Sequence, residues 1–402
     1  MKTNDEEKHP YTEDHYYKYV NLSIELNRWI LQSLGVWPEF KETTWKEKYF
    51  RRAKNAIFYF LMIFVFLPCG PYVILEIEST YDKLRLTGPL SFCIMAVLKY
   101  LFLTLHENDF RRCVEYIETD WKNAKHSEDK KIMIANAHSG RSLATLCAAF
   151  AYGAATFYYI ALPITSGKIF APDVNISYRP LPFPVTRIFL DARYSPVNEI
   201  VIFLQCLYGF AAHSIAAGTC SLAAVCTMHA CGQLQVLMNW LEHLVDGRED
   251  MCDDLDKRMA NIIQRHVHTL DFISMTEELL NKISLVEIVG CTLNMCLLGY
   301  YCIMEWDVSE VLGCLTYVII LTSVTFNIFI FCYIGELLTE QCAKLGDRSY
   351  MIDWYHLPGK KSQALILIIS MSRITTKLTA GNLMELSLNS FSDVSIMKID
   401  LE

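Results

Sequence analysis

The sequence predicts an all-α membrane protein with seven transmembrane helices, a cytoplasmic amino terminus and an intracellular helical bundle beneath the membrane. Three observations predict it. Five stretches, 56–75, 142–167, 200–241, 288–304 and 311–335, contain no Asp, Glu, Lys or Arg. A sixth, 86–106, carries only Lys99, and a seventh, 378–397, carries Glu385 and Asp393. About 20 apolar residues suffice to cross a hydrocarbon core of ~30 Å. The basic residues then alternate. Of the 36 Lys and Arg, 28 fall in the amino-terminal arm and in segments 107–141, 242–282 and 336–377; 7 fall in the alternate segments, and Lys99 lies within a span. The basic side faces the cytoplasm, which places the amino terminus inside and, after seven crossings, the carboxyl terminus outside. Finally, 200–241 is 42 residues long, roughly 63 Å as one helix at ~1.5 Å per residue. Its inner half must leave the membrane while still apolar, so protein must cover it.

In order, the chain divides into a cytoplasmic arm, 1–55; spans one to four, 56–230, with a Pro-rich extracellular loop at 163–196; a cytoplasmic segment, 231–282; spans five and six, 283–335; a second cytoplasmic segment, 336–377; and a short final span, 378–402. The arm opens MKTNDEEKHP, polar and without an apolar h-region, so no cleavable signal peptide is expected. Within the arm, Trp29, Ile30, Leu34 and Trp37 predict a short helix broken at Gly35 and Pro38, lying at the inner membrane interface. The loop at 163–196 holds Pro163, Pro172, Pro180, Pro182, Pro184 and Pro196, so it cannot be one helix and is expected to pack as a lid over the outer helix ends. Its Asn175-Ile176-Ser177 triplet is a glycosylation acceptor on the outside, whereas Asn21-Leu22-Ser23 falls inside and stays bare. The turn at 305–310 is tight, which makes spans five and six neighbours. Leu255, Met259, Ile262, Ile263, Leu270 and Ile273 recur at helical spacing ahead of span five, and 363–371 is an apolar helix too short to span. Together with the overrun of span four, these pieces form the intracellular bundle, a surface suited to subunit contact.

Composition narrows the function classes. The chain of 402 residues is 52% hydrophobic with a net charge of −8, which argues against nucleic-acid binding. Most of the fifteen cysteines, such as Cys220, Cys226, Cys291 and Cys296, sit in apolar runs and behave as small buried hydrophobes. There is no CxxC, and His266 and His268 are two apart and cannot share a helix face, so no metal site and no cofactor are expected. The spans hold no cluster of ionisable groups for an enzyme. Lys99, eight residues before the polar segment, reads as a snorkelling side chain near the inner face.

The last seventy residues carry specific wording. FCYIGELLTE at 331–340 closes the sixth span, followed by YMIDWYHLP at 350–358, KLTAG at 377–381 and LSLNSF at 386–391. In order, spacing and topological setting these motifs, with LGVWP at 34–38, resemble the insect odorant receptor family. The resemblance implies a plasma-membrane subunit of a tetrameric, odorant-gated, non-selective cation channel that works with a shared co-receptor. Its subunits would meet in an intracellular anchor built from the lower parts of helices four to seven, and its final helix would line the pore. A G-protein-coupled receptor has the opposite orientation; a gustatory-type channel subunit shares the architecture but ends in a different final-helix motif.

The resemblance also implies a small volatile organic ligand among helices two to six in the outer half of the membrane. The faces available are Phe92 and Met95 on the second, Tyr152, Thr156 and Tyr159 on the third, Phe203 and Tyr208 on the fourth, Tyr300 on the fifth, and Tyr317 and Leu321 on the sixth. Aromatic residues at helical spacing serve packing as readily as binding. A ligand of about ten heavy atoms gains only several kcal/mol, so micromolar affinity and broad tuning are expected. Asp353, Trp354 and Tyr355 are expected to cap and pack a short helix in the anchor, and Gly381 to break the chain before the final helix. Only eleven residues follow Phe391, whereas the family's final helix continues to a hydrophobic gate; a truncated or alternatively spliced end, and with it a non-conducting partner subunit, is the corresponding expectation.

Overall fold

The computed structural model describes residues 13–396 other than 41–43, 166, 173–174, 188–189, 249–250, 253, 305–310, 358, 360 and 374–376. Its helices are α1 (Glu13–Ser33), α2 (Trp45–Pro71), α3 (Thr80–Leu105), α4 (Glu107–Asn123), α5 (Ser127–Thr156), α6 (Leu162–Thr165), α7 (Val197–Glu242), α8 (Leu255–Met304), α9 (Val311–Met351), α10 (Lys361–Arg373) and α11 (Leu388–Ile396). Two short antiparallel hairpins accompany them, β1 (Ile169–Ala171) with β2 (Ile176–Tyr178) and β3 (Thr379–Ala380) with β4 (Met384–Glu385). Among the described residues, α2, α3, α5, α7, α8 and α9 are long and apolar enough to cross a membrane.

The centre of the molecule is α7. At 46 residues it is roughly 69 Å long, and every residue from 215 to 234 is buried. The run is dominated by Ala, Gly, Ser, Thr and Cys. Side chains this small let α1, α5, α8 and α9 approach α7 closely from several directions. The inner ends of α8 and α9 extend alongside it, and α10 lies on α9 through Leu365 and Ile368.

The amino arm differs from the short interfacial helix expected of it. α1 runs for 21 residues and docks on α7: Asn27 Nδ2 donates to the Gly218 carbonyl (2.9 Å) and to Ser221 Oγ (2.7 Å), and Leu31 fills the space left by the missing Gly218 side chain. The helix stops where Gly35 turns to φ +75°, with Val36 N–H donating back to the Leu31 carbonyl. α4 went unrecognised in the sequence. Its Phe110, Cys113, Val114, Ile117 and Trp121 form a buried stripe, and Trp121 Nε1 donates to Ser23 Oγ of α1 (3.1 Å).

At the outer side the Pro-rich loop carries the β1–β2 hairpin and then turns inward at Phe183. Gln205 of α7 clamps that backbone twice, accepting from Phe183 N–H (3.1 Å) and donating to its carbonyl (2.7 Å). At the carboxyl end, residues 378–387 are not the start of a helix. They form the β3–β4 hairpin, turned at Gly381 (φ +63°) and Asn382 (φ +57°). Glu277 of α8 accepts from Thr379 N–H (3.0 Å), and Asn281 of α8 donates to Asn382 Oδ1 (2.7 Å), so side chains of α8 hold the turn. α11 follows, with nine described residues.

Candidate functional site

A cavity of about 100 Å³ lies between α3, α5, α7, α8 and α9, on the side of the bundle that carries the Pro-rich loop. Small residues make the room: Gly88 of α3, Ala151 and Ala154 of α5 and Ala216 of α7 all line it. Aromatic rings close it. α5 widens into one π-helical segment at Phe157–Ala161, a departure from regular winding; both Tyr158 and Tyr159 line the cavity, with ring centroids 5.0 Å apart. Tyr159 lies flat on Gly209 of α7, where a Cβ would stand 2.2 Å from a ring carbon. Phe92 and the lid residue Phe183 complete the aromatic wall.

Above it is a second chamber of about 340 Å³ under the lid, lined by Arg85, Pro180, Leu181, Pro182, Tyr301 and Tyr317 among others. The two chambers share Gly88, Pro89, Tyr158, Leu298 and Ile320 as walls.

Besides the phenols of Tyr158 and Tyr159, four polar side chains line the inner cavity: His213, Asn294, Ser323 and Asn327. His213 Nδ1 is 2.9 Å from the Gly209 carbonyl, and its ring packs 4.6 Å from Phe92. Asn294 Nδ2 donates to Ser91 Oγ (2.8 Å) and to the Gly290 carbonyl (2.8 Å), and Ser91 Oγ donates on to the Gly88 carbonyl (2.8 Å).

Of the residues expected at the site, the structure brings Phe92 and Tyr159 to the inner cavity and Tyr317 to the outer chamber. Met95 sits below, its sulfur over Gly290 and 3.8 Å from Asn294 Nδ2. The others lie elsewhere. Tyr152 bonds Ser214 across α5 and α7 (2.9 Å), and Thr156 is exposed with its hydroxyl donating to the Tyr152 carbonyl. Tyr208 is fully buried against Phe58 and Phe183, and Leu321 packs into the core. Phe203 is 66% exposed and Tyr300 also faces outward. The aromatic count thus missed His213, Asn294, Ser323 and Asn327. Their signal was in the sequence: a polar side chain in an apolar run seeks something other than lipid.

One expectation is corrected beneath the cavity. Lys99 does not snorkel. It is 1% exposed and ion-paired with Glu287 of α8, itself 2% exposed. α7 and α8 close around Lys99 and leave its ammonium no path to the interface, so Glu287 supplies the counter-charge that water would otherwise provide. Cys291 Sγ lies 3.2 Å from Glu287 Oε1. The pair sits one helical turn below Met95, so α3 and α8 are joined by charge directly under the ligand-sized space.

Between α4, α7 and α8, the Asp120 carboxylate bridges His229 of α7 (2.9 Å) and His268 of α8 (2.8 Å). Burial pushes this carboxyl up, but the hydrogen bonds from His229 and His268 outweigh it and hold it well below the usual carboxylate range. Among the described residues no group of three or more His, Cys, Asp or Glu side chains is arranged to hold a metal ion.

Asp353, Trp354 and Tyr355 differ from expectation too. They form a single 3-10 turn in which Tyr355 donates to Asp353 (3.0 Å), and both rings are exposed rather than packed within the protomer. Ile366 and Leu367 on the outer face of α10 are likewise uncovered. Asn175 stands exposed, with φ +53°, between β1 and β2.

A family model described as 7tm odorant receptor matches residues 83–398. Among curated proteins, the chain is 22% identical over 219 residues to odorant receptor 10 of Aedes albopictus, covering 54% of this chain and 57% of that one. It is 21% identical to odorant receptor Or2 of Anopheles gambiae (73% and 76% of the two chains) and 19% identical to odorant receptor 13a of Drosophila melanogaster (94% of each). The solved olfactory receptor OR5 of Machilis hrabei superposes with a TM-score of 0.73 at 14% identity, covering 96% of this chain and 97% of that one. The same receptor in complex with eugenol gives 0.73 at 15%. At such identities the likeness establishes a shared seven-transmembrane fold.

Proposed function

The chain belongs to the 7tm odorant receptor family, and from that premise we propose that it is a subunit of an odorant-gated, non-selective cation channel that takes small volatile organic ligands in the cavity between α3, α5, α7, α8 and α9. The observation that carries this reading is the cavity itself. It is apolar and aromatic, with few polar groups, placed mid-bundle and reached from beneath an extracellular lid. A ligand there touches five helices at once, and it opens the channel to the extent that it binds the open arrangement better than the closed one. The solved relative named with eugenol supports a volatile of similar size.

The subunit works with a shared co-receptor in a hetero-tetramer at the plasma membrane. The uncovered faces of α10, Trp354 and Tyr355 support this assembly, because apolar surface outside the bilayer calls for a protein partner. The amino terminus is cytoplasmic, in line with the distribution of basic residues.

Voltage-clamp recording with a volatile panel, with and without the co-receptor, tests the reading. Ligand-evoked currents are expected only with both subunits. Ala154→Leu, which fills the inner cavity, should abolish or strongly right-shift them at unchanged surface expression; unchanged dose-response curves would remove the cavity as the ligand site. Glycosidase treatment tests orientation. A mobility shift lost in Asn175→Gln and retained in Asn21→Gln is expected, and the reverse pattern inverts the topology.

A further inference from the structure

The hydrogen-bonding direction of the cavity names a ligand class, an inference that rests on the cavity being the odorant site. His213 Nδ1 lies 2.9 Å from the Gly209 carbonyl, which can only accept. Nδ1 therefore carries the proton. Among the described residues that line the cavity none is acidic, so nothing there balances a cation; the ring is neutral and Nε2 is its acceptor. Asn294 is fixed in the same way. Its Nδ2 hydrogens go to the Gly290 carbonyl and to Ser91 Oγ, whose own proton goes to the Gly88 carbonyl. Only Oδ1 is left, and it lies beside Gly88, where a Cβ would be 3.6 Å away. α7 and α8 thus each present an acceptor with no freedom to reverse. Ser323 and Asn327 across the cavity offer a donor and an acceptor alike and impose no preference.

We infer that this receptor is selective for small hydroxyl-bearing volatiles, alcohols or phenols, whose O–H donates to His213 Nε2 or Asn294 Oδ1. An ether or ester of the same shape sets lone pair against lone pair there and leaves the acceptor unmet, which a dry site penalises.

The test compares alcohols with their methyl ethers and parent hydrocarbons on straight-chain, terpenoid and aromatic skeletons, recorded as currents with the co-receptor. In the wild type the alcohol should be about tenfold or more the more potent member of each pair. His213→Phe keeps a ring against Phe92 and Tyr159 but loses the acceptor, and should reduce the advantage of alcohol over ether to about twofold. His213→Gln restores an acceptor and should restore the preference. Equal potency of alcohol and ether in the wild type overturns the inference, as does an advantage that survives both His213→Phe and Asn294→Leu, or silence to the whole series. If Ala154→Leu leaves every response intact, the cavity reading fails instead and the inference falls with it; if Ala154→Leu acts but no hydroxyl preference exists, only the inference is lost.

Discussion

The two halves of α7 are alike in apolarity and opposite in surroundings. In the outer half, Ile200, Phe203 and Leu207 face away from the bundle while His213 and Ala216 border a cavity. In the inner half, 217–234 is enclosed on every side. Hydrophobicity alone does not distinguish lipid from protein as the cover. Side-chain size does, because a helix of Ala, Gly, Ser, Thr and Cys admits neighbours that Ile, Phe and Leu would hold off. On this division, changes in the inner half and at its upper boundary should cost stability, and changes in the outer half should move the response.

The largest effect is expected at the boundary. Lys99→Met strands Glu287 as a buried unpaired charge, a loss of about 3–5 kcal/mol, read as a lower unfolding temperature in detergent and less protein at the cell surface. Lys99→Met combined with Glu287→Leu should recover most of it; a single variant as stable as the wild type would break the claim that the pair joins α3 to α8. In the inner half, Asp120→Ala removes the acceptor shared by His229 and His268 and should cost about 2–3 kcal/mol. Because the Asp120 carboxyl is held below its unfolded value, its stabilisation is complete above pH ~4 and fades only as pH falls further, through the folded value. Thermal melts of wild type and variant should therefore converge in acid and not near neutrality.

In the outer half the sign of the comparison changes. Gly209→Ala drives a methyl into the Tyr159 ring, and the ring must yield toward the cavity. An odorant dose-response shift of roughly tenfold, with a stability loss of only about 1–2 kcal/mol, is expected. A loss of surface protein without any shift in the survivors would put Gly209 on the structural side of the division. The smallest effect belongs to Phe203→Ala. Its ring faces outward, so melting and dose-response should both stay near wild type, within about 0.5 kcal/mol; a clear shift would place the ligand against the outside of α7.

Sequence reasoning reached the six long apolar helices because charge and length are local properties. It reached the overrun of α7 for the same reason, since 42 uncharged residues exceed the membrane. It missed α4 although Phe110, Val114, Ile117 and Trp121 carry the period, because the charges interleaved with them lower the apolarity that marks a helix in this chain. The partner of Lys99 lies 188 residues away, and no property of either position alone pairs them. At the cavity, aromatic residues were a poor guide. Phe92 and Phe203 are equally apolar, and only packing decides which faces inward. His213 and Asn294 were the better markers, because burying a polar side chain in a membrane helix demands a purpose or a partner.

The clamp between Gln205 and Phe183 has one more consequence. Gln205 grips the main chain, an N–H and a carbonyl that nearly every amino acid supplies. Exchange at position 183 keeps both of these bonds available, but it replaces a fully buried ring that packs on Tyr159 and Tyr208 at the wall of the inner cavity. The loop is thus fastened by its backbone and fitted by its ring: the bonds to Gln205 suit many residues, and the packing around Phe183 decides which of them the place admits.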